Sequence, residues 1–132
     1  MTTAWICATL LALLVFALGF AVSATRGATR TNFGYTPDPT DRLYKMVRAH
    51  GNATEYAPAL ALVILMVGAR NPSPWMEWTM IAAVVARYLQ AAGMISSRSL
   101  AEANPLRFIG SIGTYLTGFA LVVAAFLRTD VG

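Results

Sequence analysis

TAWICATLLALLVFALGFAVSA, running from Thr3 to Ala24, carries no charged side chain. About 20 apolar residues are what an α-helix needs to cross a bilayer. A secretory signal could occupy the same place, and AVSA at Ala21 to Ala24 resembles a cleavage site. Against that, no Lys or Arg precedes the apolar run, and the run is long for a signal core. It reads as an uncleaved first helix. The composition agrees. Of 132 residues, 57% are hydrophobic and 12% charged, where a soluble domain averages about 25% charged. A water-soluble fold of this size has too little interior for so much apolar area. The same balance excludes disorder. An integral membrane protein is expected.

Three more spans follow. Thr25 to Arg42 is polar, and TPDPTD at Thr36 to Asp41 marks a loop. The second span is expected over Leu43 to Ala69, its later part PALALVILMVGA being fully lipid-compatible. NPSP, Asn71 to Pro74, is a tight turn before a third span over Trp75 to Ile95. SSRSLAEANP, Ser96 to Pro105, leads to a fourth over Leu106 to Leu127, where Gly110, Gly113 and Gly118 would let helices approach closely. Trp75 and Trp78 stand where interface aromatics lie. The fold class is all-α: one transmembrane domain over residues 1–132, a four-helix bundle.

Basic residues give the orientation. Arg26, Arg30, Arg42, Lys45, Arg98 and Arg107 flank the loops after spans one and three, against Arg70 and Arg128 on the other side. Six against two places loops 25–42 and 96–105 in the cytoplasm and both termini outside. The formal charge of +4 is then a cytoplasmic arginine surplus, and no nucleic-acid partner is expected. With one cysteine, Cys7, and one histidine, His50, neither a disulfide within the chain nor a zinc-type metal cluster is expected.

The second span holds the informative residues. A charge near the bilayer centre costs at least about 2.5 kcal/mol. Arg48, Asn52 and Glu55 are spaced i, i+4, i+7, which puts them at roughly 0°, 40° and −20° around a helix, a single stripe. Lys45 and Tyr56 flank it at roughly 60° and 80°, and His50 lies opposite at roughly 200°. Lipid cannot face such a stripe, so it must meet other helices or a wet cavity. A four-helix chain has little interior, which points to a subunit interface and a homo-oligomer. An arginine fork takes a carboxylate; a glutamate takes an ammonium; an asparagine serves either. The set suits a zwitterionic ligand. The spacing equally allows a structural role, with Arg48 and Glu55 paired to each other or to Arg87.

Span three adds Arg87, Tyr88 and Gln90. Arg87 needs a partner, and Glu55 is the expected one. Tyr88 could be an interface tyrosine, and Gln90 a plain interhelical hydrogen bond. His50 could shuttle a proton or simply be solvated. The six methionines read as packing or lipid-facing residues, and Cys7, with no base nearby, as inert.

RAHGNATEYAPAL, Arg48 to Leu60, resembles the second-helix signature of the MAPEG family, membrane-associated proteins in eicosanoid and glutathione metabolism. ARYLQAAG, Ala86 to Gly93, resembles the family's third-helix motif, and NPLRFIG, Asn104 to Gly110, the start of the fourth helix in bacterial members. The likeness extends over all four helices; the second-helix motif is the most specific. It implies a homotrimer of four-helix bundles in the bacterial inner membrane, with glutathione in a cleft between subunits that opens to the cytoplasm. It implies that Arg48, Asn52, Glu55 and Tyr56 hold the tripeptide and that Tyr88 and Gln90 share the cleft. His50 stands where relatives have glutamine, an altered contact, and Ala92 where one branch has a second tyrosine. Arg26 is a further glutathione contact by the same likeness.

Relatives use an arginine near the start of helix four to stabilise the glutathione thiolate. Arg107 matches best by context, with Arg98 the second candidate. Arg107 also suits a plain cytoplasmic anchor. A free thiol has a pKa of about 8.5, so a nearby guanidinium or phenol is needed to supply thiolate at neutral pH. The resemblance thus implies a glutathione transferase or peroxidase acting on lipophilic electrophiles, with Arg107 and Tyr88 at the chemistry. The rivals are a non-catalytic membrane binder and a small multidrug exporter. The exporter depends on a lone glutamate in its first helix, whereas here the first helix is uncharged and Glu55 comes with Arg48 and Asn52.

Overall fold

The computed structural model describes residues 1–128; positions 129–132 of the expected single domain lie outside the described residues. Four helices make up the fold: α1 Thr2–Thr29, α2 Arg42–Gly68, α3 Pro74–Ser96 and α4 Pro105–Phe126. The described residues contain no strand. Each helix is long and apolar enough to cross a membrane.

Three helices begin and end within a residue of expectation; α1 begins so but ends later. It runs to Thr29 rather than Ala24. The hydroxyls of Thr25 and Thr29 donate back to Ala21 O at 2.8 Å and Thr25 O at 2.9 Å. Hydroxyls satisfied in this way on the helix's own carbonyls are tolerated within it, so the helix can extend past its apolar run. Arg30 ends it in the left-handed region at φ 51°, and Arg26 Nη1 donates to Gly34 O at 2.7 Å to hold the chain as it leaves. α3 begins after Ser73, with no side-chain cap bond and with Pro74 in its first turn; the starts of α2 and α4 are ordinary caps. Asp41 accepts from Tyr44 N at 2.7 Å to begin α2. Asn104 accepts from Arg107 N at 3.1 Å to begin α4, with Pro105 in its first turn.

The helices run as two antiparallel hairpins. At one end the loop before α2 meets the loop before α4, where Leu100 N donates to Pro39 O at 2.9 Å and Lys45 Nζ to Ser97 O at 3.1 Å. The six expected inner-side cations thus share one end. At the other end Arg128 Nη1 donates to Arg70 O at 2.7 Å.

Near that other end the core is apolar. Leu11, Ile64, Met80, Ala83 and Leu121 are completely buried together, closed by Ala4, Cys7 and Val67. Phe16, Phe20, Phe119 and Phe126 point outward, as a lipid-facing belt requires. Between α3 and α4 the backbones nearly touch. A Cβ on Gly110 would lie 2.5 Å from Gln90 N and 2.8 Å from Ala86 O. Gly113 also meets α3 closely, but Gly118 does not: a Cβ there would find only Leu60 Cδ2 at an ordinary 3.6 Å. The expected glycine seam therefore ends at Gly113.

Candidate functional site

α2 turns small alanines, Ala49, Ala53 and Ala57, into the bundle, and this sets where its polar residues point. Glu55 and Arg48 are exposed, Asn52 and Tyr56 half-buried. That order, from outside to inside, follows their helical angles. By the rise of a helix, Arg48 lies about 9 Å along α2 and Glu55 about 20 Å, near its middle. Among the described residues no ion pair engages either one.

Arg87 is only 2% exposed, and its partner is not Glu55. Nη2 donates to Asn52 Oδ1 at 2.7 Å and to Asn52 O at 3.1 Å; Nη1 reaches Thr114 Oγ1 at 3.5 Å. Its guanidinium carbon lies 5.1 Å from the centre of the Tyr56 ring, a cation–π distance. The expected Arg87–Glu55 pair fails for a simple geometric reason. Glu55 leans outward by about 60° of helical angle from Asn52, and only Asn52 turns toward α3. The Tyr56 hydroxyl meets that of Tyr115 on α4 at 2.9 Å, the rings edge to face at 5.8 Å. Below this pair, Leu60, Val63, Phe119 and Val122 line an apolar groove of about 280 Å³ between α2 and α4.

A second polar site opens between α3 and α4 close to the loop end. Gln90, Asn104, Arg107 and Ser111 line a cleft of about 540 Å³. Gln90 is 7% exposed; its Oε1 accepts from Ser111 Oγ at 3.0 Å, so its amide hydrogens remain for the cleft. Arg107 Nη1 donates to Leu100 O at 2.9 Å and Glu102 O at 3.2 Å, which clasps the preceding loop. Arg98 is exposed on that loop and does not line the cleft.

Three expected site residues lie elsewhere in the chain. Tyr88 Oη donates to Leu10 O on α1 at 2.9 Å. It sits about 200° around α3 from Gln90, so the two do not share a cleft within one protomer. His50 is half-buried against α1, where a Cβ on Gly19 would lie 3.2 Å from its Nε2. Arg26 holds the loop at Gly34. Sequence reasoning missed Ser111, Thr114 and Tyr115. The signal was present: with Arg107 they fall at i, i+4, i+7 and i+8 of α4, one polar stripe in an apolar span.

Four helices fit to span a membrane, with a polar edge on α2 and a polar cleft between α3 and α4 lined by both Arg107 and Glu102, define an integral membrane protein. The chain belongs to the MAPEG family, whose family model matches residues 4–127. This removes the small multidrug exporter as a reading. No curated protein matches the chain in a sequence search.

Proposed function

We propose that this protein is a membrane-bound, glutathione-dependent transferase or peroxidase for lipophilic electrophiles, assembled as a homotrimer in a bacterial inner membrane with loops 25–42 and 96–105 in the cytoplasm. The single observation that carries it is the exposure of Arg48 and Glu55. Both stand on α2 with no ion-pair partner among the described residues, at a depth where lipid cannot face them. A neighbouring subunit and a charged ligand supply what they lack. The donor set fits glutathione, which brings carboxylates, an ammonium group and a thiol. Arg48 takes a carboxylate through its planar fork, Glu55 takes the ammonium, and Asn52 and Tyr56 complete the grip. Gln90 and Arg107 share a cleft of the right polarity for the thiol end, and Tyr88, His50 and Arg26 reach the ligand from a neighbouring copy.

In this reading Arg107 lowers the thiol pKa by favouring the thiolate. The thiolate sulfur then bonds to an electrophilic carbon arriving from the bilayer, displacing its leaving group as an anion or adding to an activated double bond. With a lipid hydroperoxide it bonds the terminal oxygen as the O–O bond breaks, giving the lipid alcohol and a glutathione sulfenic acid that a second glutathione converts to the disulfide and water. The commitment of Arg107 Nη1 to Leu100 O and Glu102 O favours a second reading, a binder that grips glutathione without activating it. Thiolate absorbance separates the two. Purified protein in detergent, saturated with glutathione at neutral pH, gives a thiolate signal if the transferase reading holds. Tight binding without that signal leaves the binder, and no binding overturns both.

A further inference from the structure

Arg87 is the largest side chain in the protomer that is almost completely buried, and it carries a charge. Nothing in the proposed chemistry uses it. Burying a cation without a paired carboxylate is costly, yet among the described residues Arg87 forms no ion pair, Glu55 acting on it only from a distance, and its Nε has no hydrogen-bond acceptor. Its strongest contacts are spent on one residue: both Asn52 Oδ1 and Asn52 O accept from Nη2.

That choice has a consequence for Asn52. An asparagine amide presents an acceptor on one side and a donor on the other, and it can turn over. A guanidinium only donates. Facing Arg87, the amide must therefore put Oδ1 inward, which sends its NH2 toward the edge occupied by Arg48 and Glu55. Were the inward partner a hydroxyl, such as the neighbouring Thr114, either orientation would serve. Arg87 at the same time lies under the Tyr56 ring, whose hydroxyl is directed at Tyr115.

We propose that Arg87 is a positioning residue: it locks the Asn52 amide with its NH2 outward, so that Asn52 can act only as a donor and selects an acceptor group, carboxylate or carbonyl, on the ligand. This rests on the glutathione reading for the identity of the ligand, but not for the orientation of the amide. A merely structural cation behaves differently, since an apolar side chain of similar volume commonly replaces it at no cost in stability.

The test has two arms. In the first, side-chain amides are labelled with ¹⁵N in the detergent-solubilised protein without ligand, and the Asn52 NH2 signal is assigned by its loss in Asn52→Asp. The expected result is a single Asn52 signal exchanging with water, which Arg87→Met splits or broadens and Arg87→Lys largely restores. An Asn52 signal that Arg87→Met leaves unchanged overturns the proposal. This arm is decisive even if the wild-type protein takes up no glutathione, an outcome that would sink only the functional reading. In the second arm, glutathione affinity is measured by calorimetry. Arg87→Met and Asn52→Ala each weaken it about tenfold, and the double variant also about tenfold. A double variant about a hundredfold weaker shows that the two residues act independently and overturns the proposal.

Discussion

Ile64 and Arg87 are both sealed inside the protomer, at 0% and 2% exposure, yet their surroundings have nothing in common. Ile64 sits with Leu11, Met80 and Leu121, where many apolar shapes would fit and any one contact is replaceable. Arg87 sits among Asn52, Thr114 and Tyr56, where each neighbour answers a specific donor or ring face. The half of the bundle that carries the termini is held by volume alone; the half near loops 25–42 and 96–105 packs an apolar cluster of its own, including Leu18, Ala49 and Met94, and adds contacts that depend on direction. Only the second has positions whose polar residues a lipid-embedded bundle does not need for packing, and those gather the candidate site.

The largest expected difference between the halves is in how each tolerates a methyl group. A Cβ on Gly68 would lie 2.2 Å from the Cβ of Ala4, but a Cβ on Gly110 would lie 2.5 Å and 2.8 Å from Gln90 N and Ala86 O. Relief at Gly68 needs only the first turn of α1 to move, whereas relief at Gly110 needs α3 and α4 to part within the span. Gly110→Ala should cost about 3 kcal/mol or more and Gly68→Ala about 1–2 kcal/mol, measured as loss of thermal stability in detergent. Equal costs would mean that α3 and α4 can part as readily as the helix ends.

Next comes ligand affinity. Arg48→Ala should weaken glutathione binding by about 1.5–3 kcal/mol, the worth of a charged hydrogen bond, with the thermal stability of the ligand-free protein little changed, because among the described residues no ion pair engages Arg48. Calorimetric titration checks it, and unchanged affinity removes Arg48 from the site. Arg107→Ala should leave affinity near wild type and cut turnover about a hundredfold, as removal of one charge-stabilising donor does. If turnover survives Arg107→Ala and disappears with Arg98→Ala, the exposed loop arginine serves the thiolate, and the α3–α4 cleft is not the reaction site.

The apolar half was legible in the sequence because length and hydropathy alone specify a span. The misjudged boundary, at Ala24 near the loop end, came from equating the end of hydrophobicity with the end of a helix, when Thr25 and Thr29 can lie within one by bonding their hydroxyls to its own carbonyls. The α2 stripe was legible because 3.6-residue periodicity sorts one helix by itself. The partner of Arg87 was not. Choosing Asn52 over Glu55 needs the rotation of α2 relative to α3, and that is set by the alanine face of α2 against its neighbours. Tyr115 needed only the spacing Arg107, Ser111, Thr114, Tyr115, visible in the chain yet hidden among glycines and apolar residues that read as packing.

The smallest expected effect lies outside both halves, in the loop that the sequence marked as a turn. Asp38 accepts from Thr40 N at 2.8 Å and Thr40 Oγ1 at 2.7 Å. These two bonds hold its carboxyl below the usual aspartate value. Because the folded value is depressed, the turn gains from the ionised form above the unfolded pKa and loses that gain as pH falls through the folded one. The loop should therefore keep its shape throughout the neutral range and loosen only in acid. An NMR titration of the Asp38 carboxyl carbon should show a midpoint lower than in Thr40→Ala, where the hydroxyl bond is absent. Equal midpoints would mean that the Thr40 hydroxyl adds nothing and the backbone bond alone sets the shift. Pro39 O, in the same turn, accepts from Leu100 N through a backbone bond that does not involve the Asp38 carboxyl, so the loop that Arg107 clasps and the apolar half around Ile64 should both outlast the acid loosening of the turn.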